Sequence, residues 1–166
     1  RGRGIVTEFT AVVVTVSDGV AAGVREDRSG SAGVARLREL GFTVDEPIVI
    51  EDGADSVESM LRQLAPAVDL IVTTGGTGLS PRDLTPEGTL SAIDREVPGL
   101  SEAMRADTFG KVPFGMLSRG VSGLIGSTLV VNLPGSPKAV EEGLAVIGPV
   151  LEHAIAIASG SHGDHG

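Results

Sequence analysis

The 166-residue chain has no cysteine, no tryptophan and no tyrosine, and only four phenylalanines. Without cysteine there is no disulfide, no thiolate nucleophile and no thiolate metal site. Without aromatics the core must be aliphatic, and the stacking platforms of single-stranded nucleic-acid binders are missing. Positive charge is scarce as well: 13 Lys and Arg against 22 Asp and Glu give a formal net charge of −9. That argues against a broad nucleic-acid or anionic-membrane surface, yet a few arginines and backbone N–H groups still suffice for a small anion. No apolar run approaches the about 20 residues of a membrane span, and no leader segment is visible, so the expected location is cytoplasmic. The three histidines (His153, His162, His165) lie together near the end of the chain, and Gly-x-Ser-x-Gly does not occur. A Ser/His/Asp triad is therefore not expected. His162, Asp164 and His165 have the makings of a chelate, but a polar tail is the simpler reading.

Glycine (24 residues) and a 41% apolar content are what the chain has in quantity, which suits a compact, loop-punctuated globular protein. A single domain is expected over residues 8–158, with flexible tails at 1–7 and 159–166. Residues 11–16, 69–74 and 127–133 read as strands buried on both faces, and 42–50 as another. A loop is expected over 18–27. Ser29 is placed to cap a helix carrying Val34, Leu37 and Leu40 inward, stopped by Gly41. Asp55-Ser56-Val57-Glu58 has the spacing of a capping box, with Val57, Met60, Leu61 and Leu64 following on one face. A helix is expected from Thr85 to about Glu96, where Pro98 ends it, and a short one over 100–107. Residues 114–125 read as part strand, part loop. The last helix carries Val140, Leu144, Ile147, Leu151 and Ile155 inward, with a kink or break at Gly148-Pro149. Alternating strands and helices make a three-layer αβα sandwich with a mostly parallel central sheet. Ligands in such folds sit beyond the carboxyl ends of the strands, so the polar loops starting at Ser17, Thr74 and Asn132 are expected on one rim.

The densest chemistry lies in Thr73-Thr74-Gly75-Gly76-Thr77-Gly78-Leu79-Ser80-Pro81-Arg82-Asp83-Leu84-Thr85-Pro86-Glu87. Three glycines within four residues let the backbone turn sharply and point several N–H groups into one concavity, which suits phosphate. A helix start at Thr85 adds its positive dipole end. Arg82 offers a cation and Asp83 a carboxylate for a hard metal ion. The loop lacks the Gly-Lys-Ser/Thr of a Walker loop, and Pro81 stands where the dinucleotide fingerprint has its third glycine. Asp52, in Glu51-Asp52-Gly53, and Asp18, in Ser17-Asp18-Gly19, taken alone each read first as turn residues; their shared rim with the glycine loop is what raises them. Asn132-Leu133-Pro134-Gly135-Ser136-Pro137 is either a turn with a helix cap or a second anion site at Ser136. Ser118-Arg119-Gly120 adds a hydroxyl and a cation.

Taken together, Thr74-Gly75-Gly76-Thr77-Gly78, Pro81-Arg82-Asp83-x-Thr85-Pro86-Glu87, Pro98-Gly99-Leu100, Leu117-Ser118-Arg119 and Asn132-Leu133-Pro134-Gly135-Ser136-Pro137 resemble the MogA/MoaB family of molybdenum-cofactor biosynthesis, over about residues 10–158. The resemblance implies a molybdopterin-binding α/β fold, commonly a homotrimer. It implies molybdopterin adenylyltransferase activity: Mg-ATP supplies AMP to the terminal phosphate of molybdopterin, pyrophosphate leaves, and a molybdate-inserting partner enzyme follows. The family's two catalytic aspartates match Asp52 and Asp83, which would also hold Mg²⁺. Ser17, Asp18, Thr74, Gly75, Gly76, Thr77, Gly78 and Arg82 would serve the nucleotide phosphates and their surroundings, and Ser118, Pro134, Gly135 and Ser136 the pterin and its phosphate. An aliphatic patch near 109–125 is the candidate for trimerisation. The rival expectations are a MoaB-type paralogue that binds molybdopterin without catalysis, and a nucleotide pyrophosphatase like the related domain of competence-damage-inducible proteins, which comes with a further C-terminal domain. Two positions depart from the usual pattern: Gly19, where many relatives have Arg or Thr, and Gly88, where they have Ala.

Overall fold

The computed structural model describes residues 8–160, so the readings made at residues 1–7 and for the His162, Asp164 and His165 set lie outside the described residues. The β-branched run at the start becomes β1 (Thr10–Val16), which lies within the sheet. On one side it pairs in parallel with β4 (Leu70–Thr74), and β4 in turn with β7 (Thr128–Leu133). On its other side β1 pairs with two short parallel strands, β2 (Thr43–Val44) and β3 (Ile48–Ile50). The far edge is antiparallel: β6 (Ser122–Ile125) on β7, then β5 (Arg95–Glu96) on β6.

Both faces of the central strands are covered, and the period of two along each strand sorts the side chains. Ala11, Val13, Leu70, Val72, Leu129 and Val131 face α2 (Arg28–Glu39) and α6 (Pro137–Ala158). Val14, Val16, Ile71 and Val130 face α3 (Ala54–Leu64) and α4 (Thr85–Ala92). Leu100 and Met104 of α5 (Pro98–Asp107) pack on the α2/α6 side. The three-layer αβα sandwich with a mostly parallel sheet is the expected architecture. Among the described residues no helix is long and apolar enough to cross a membrane.

Local boundaries differ from the sequence reading, each for a physical reason. Residues 18–27 are not all loop: the Ser17 hydroxyl accepts the Val20 N–H at 3.2 Å and starts a one-turn helix, α1 (Asp18–Ala21). Helix α2 is capped by Asp27, whose Oδ1 accepts the Gly30 N–H at 2.9 Å, leaving Ser29 inside the helix and buried. The strand expected over 42–50 is interrupted between Val44 and Ile48, around Pro47, which has no N–H to give a ladder. The capping box does not form, because α3 starts two residues earlier than it requires: Gly53 caps the helix without a side chain and Asp55 lies inside the first turn, while the Ser56 hydroxyl donates to the Glu51 and Gly53 carbonyls. Helix α4 stops at Ala92, since Arg95 and Glu96 are drawn into the sheet, and Pro98 begins α5, a first-turn position where its missing N–H costs nothing. Helix α6 runs unbroken through Pro149, with Leu144, Ile147 and Leu151 buried on both sides of it. That burial outweighs the loss of about 3 kcal/mol expected for an interior proline. Gly88 also finds its reason here, for a Cβ on it would press on the Ala54 carbonyl at 2.5 Å and on Val57 Cβ at 2.8 Å, so glycine lets α4 lie close on α3.

Candidate active site at the carboxyl rim

Because β1, β3, β4 and β7 run in parallel, the segments that follow them converge on one rim. Ser17, Asp52, Thr74, Gly75 and Gly135 meet there around a cavity of about 710 Å³, joined by Asp83 from the far end of the glycine loop. A second cavity of about 560 Å³ opens on the other side of that loop, and Thr77, Gly78, Ser118 and Pro134 line it. Ser136 lines both. The second cavity also takes Leu79, Phe114 and Leu117 into its wall, so it is much the more apolar of the two.

The loop between the cavities is held by its backbone. Gly75 (φ +98°) and Gly76 (φ +72°) occupy the left-handed region. The Gly75 N–H donates to the Leu133 carbonyl at 3.1 Å. Thr85 fastens the turn from the other side, donating its hydroxyl to the Gly75 carbonyl at 2.8 Å and its N–H to the Gly76 carbonyl at 3.0 Å. Among the described residues nothing accepts the N–H groups of Gly76, Thr77 or Gly78. Three consecutive donors are thus presented as an anion cradle would present them. The hydroxyls play other parts: Thr74 donates to buried Ser29 Oγ at 2.9 Å, Ser17 and Ser136 cap α1 and α6, and Ser118 accepts the Gly120 N–H at 3.4 Å.

Asp18 and Asp52 exchange backbone bonds, the N–H of each donating to a carboxylate oxygen of the other at 3.0 Å. Arg82, expected at the phosphates, grips Asp18 with Nε and Nη2, both at 3.0 Å, and reaches the Asp52 carbonyl with Nη2 at 3.1 Å. It therefore ties the glycine loop to the β1 and β3 turns. The hydrogen bonds of Arg82 hold the Asp18 carboxyl below the usual carboxylate range. Asp52 goes the other way: burial, then the neighbouring charges of Asp18 and Asp83, push its carboxyl up, against the pull of the Asp18 N–H and Arg82. Oδ1 of Asp52 and Oδ1 of Asp83 accept no hydrogen bond from the described residues, while Asp83 Oδ2 takes the Ser80 N–H at 3.0 Å.

The raised Asp52 carboxyl has a stability consequence with a definite sign. A group whose folded pKa lies above its unfolded value loses stability as pH rises between the two. Asp52→Asn keeps an acceptor for the Asp18 N–H and removes the charge. Its melting temperature is expected to exceed that of the parent at pH 7, with the gap closing as pH falls toward the ordinary carboxyl value of 3.8. Paired thermal melts across that range in metal-free buffer check it.

Arg119 is the residue sequence reasoning undervalued. Its Nε donates to the Gly78 carbonyl at 2.9 Å and its Nη2 to the Asp83 carbonyl at 2.7 Å, while Nη1 pairs with Glu87 at 2.7 Å. Its own N–H donates to the Thr77 carbonyl. One side chain thus spans the start and end of the loop that carries Asp83. The Leu117-Ser118-Arg119 triplet was the available signal, but only the fold shows what the arginine reaches. Arg105 of α5 supports this segment through the Ser118 and Gly120 carbonyls.

A parallel sheet whose rim carries a glycine loop with open N–H groups, two part-open carboxylates and two adjoining cavities is an α/β domain whose rim suits anionic small molecules. A family description, "Probable molybdopterin binding domain", matches residues 12–153. Molybdopterin adenylyltransferase of Helicobacter pylori is 35% identical over 157 residues, covering 90% of this chain and 88% of that protein. The molybdenum cofactor biosynthesis bifunctional protein of Synechococcus elongatus is 38% identical over 94% of this chain, which spans about half (49%) of that relative's length. Among solved structures, the molybdopterin biosynthesis enzyme MoaB of Thermus thermophilus superposes with a TM-score of 0.83 at 44% identity, covering 92% of this chain and 97% of that one. The chain belongs to the MogA/MoaB family.

Proposed function

We propose that this protein is a molybdopterin adenylyltransferase that transfers AMP from Mg-ATP to the terminal phosphate of molybdopterin and releases pyrophosphate. One observation carries the reading: Asp52 and Asp83, 31 positions apart (83 − 52) in the chain, line one cavity beside the glycine cradle, across the loop from a more apolar cavity. The name of the Helicobacter pylori relative supports it. So does the donor set, for the Asp52 and Asp83 oxygens without hydrogen-bond partners are hard ligands, and magnesium is ordinarily held by one or two carboxylates together with substrate phosphates. Among the described residues no larger cluster of His, Asp and Glu competes for a metal. Asp52 and Asp83 would hold Mg²⁺, which when bound neutralises phosphate charge at the reacting phosphorus.

The chain's own residues do the rest. The Gly76, Thr77 and Gly78 N–H groups take phosphate oxygens and fix the nucleotide. The apolar cavity, lined by Ser118, Pro134 and Ser136, takes the pterin, and Gly135 and Ser136 lead its phosphate toward the carboxylate cavity. Nucleotidyl transfer needs this positioning and charge neutralisation more than it needs covalent help from the protein. The exposed apolar segment with Phe109, Phe114, Met116 and Leu117 is the surface we assign to a homotrimer. The product would pass to a molybdate-inserting enzyme, in the cytoplasm.

The test is formation of adenylylated molybdopterin and pyrophosphate, in equal amounts, from molybdopterin and Mg-ATP. Pterin binding without product would make this a binding paralogue. Pyrophosphate released from nucleotide alone would make it a pyrophosphatase.

A further inference from the structure

Arg25 stands in the wall of the carboxylate cavity, with Arg28 close by in the same wall. The other arginines around the glycine loop are occupied: Arg82 by Asp18, Arg119 by Glu87, and Arg105, in the wall of the apolar cavity, by two carbonyls. Arg25 and Arg28 form no ion pair among the described residues. In a chain of net charge −9, two unpaired guanidinium groups beside Asp52 and Asp83 are an unusual local balance.

Gly19 gives Arg25 a defined place. The guanidinium lies over the glycine: a Cβ on Gly19 would fall 2.7 Å from Nη2, 3.1 Å from Nε and 3.2 Å from Cζ of Arg25. Gly19 does not have a left-handed backbone, so a turn does not call for glycine there. Room for the planar group does. The contact is with the far end of a flexible side chain, so filling the space would shift the guanidinium and leave the backbone of α1 in place.

We infer that Arg25, seated on Gly19, binds the β- and γ-phosphates of the nucleotide, the part that departs. The inference rests on the nucleotidyl-transfer reading above. In that reaction an oxygen of the molybdopterin phosphate forms a bond to the α-phosphorus. The bond from that phosphorus to the bridging oxygen breaks, and its electron pair leaves with pyrophosphate. A guanidinium at the cavity wall meets that charge with paired N–H donors, a geometry suited to phosphate, and Arg28 adds to the field.

The experiment measures binding of inorganic pyrophosphate and of AMP, each with Mg²⁺, by calorimetry on the intact chain, Arg25→Ala and Gly19→Ala. Pyrophosphate affinity is expected to fall about tenfold or more in both variants, in line with the loss of a charge-assisted contact. AMP affinity is expected to stay within about twofold, as AMP lacks the departing phosphates that this contact serves. Gly19→Ala is the sharper arm, because alanine favours a helix over glycine and the melting temperature should not fall. Unchanged pyrophosphate affinity in Arg25→Ala, an equal loss of AMP and pyrophosphate, or no pyrophosphate binding by the parent would each overturn the assignment. Loss in Arg25→Ala alone would remove Gly19 from it. If the binding pattern holds while no adenylylated molybdopterin forms, the Arg25 site stands and the transferase reading falls.

Discussion

Asp83→Ala is expected to bind molybdopterin as the parent does and to lose product formation by roughly a thousandfold or more, about 4 kcal/mol of transition-state stabilisation. The carboxylate faces the cavity, while the loop around it is held through main-chain atoms: the Asp83 carbonyl by Arg119, the Gly75 and Gly76 carbonyls by Thr85. Removing the side chain therefore removes a ligand and leaves the scaffold, apart from the bond to the Ser80 N–H. Asp52→Asn should show the same loss of product with, at pH 7, a gain in melting temperature. Product formation and thermal melts on the two variants decide the matter. A carboxylate variant with near-parental turnover would withdraw its catalytic role, and a folding defect in Asp83→Ala would show that its side chain had been supporting the loop.

The second large effect is expected at Gly75. Alanine there must adopt φ +98°, and its Cβ would run into the carbonyl oxygen of Val16, an atom of the central strand β1 that has no room to yield. Strained left-handed backbone costs on the order of 1–3 kcal/mol, and the clash adds to it. A loss of at least about 3 kcal/mol is expected, roughly 6–12 °C in melting temperature for a domain of this size. Gly126→Ala serves as control, since its φ is also positive but nothing lies within 4 Å of its Cβ position. A small and equal shift in both variants would show that the Val16 contact is unimportant.

The strands were legible in the sequence because each central one is a short, β-branched run apolar on both faces, as with Val13 beside Val14 or Ile71 beside Val72. Helix boundaries were less so, since they were decided by partners distant in space. Gly53 took the cap of α3 and left Asp55 inside its first turn, and Arg95 and Glu96 left α4 for the edge of a sheet. The rim could be anticipated from topology alone: parallel strands bring Asp52 and the glycine loop to one end whatever their separation. What the arginines do could not. Arg82 and Arg119 have reach enough to settle on several partners, and Arg119 finds the Asp83 carbonyl across 36 positions of chain. Spacing carries no trace of that choice.

The attachment of Arg119 to the loop has a bearing on how such proteins diversify. Two of its bonds go to carbonyl oxygens, at Gly78 and Asp83, which every amino acid supplies alike. Between them stands the tip, where the Ser80 hydroxyl accepts the Arg82 N–H at 3.3 Å while the Leu79 side chain makes no hydrogen bond to the frame on which the carboxylate is mounted. Leu79 borders the apolar cavity. Substitution at Leu79 can therefore reshape the wall of that cavity while the Arg119 attachment of the loop stays as it is.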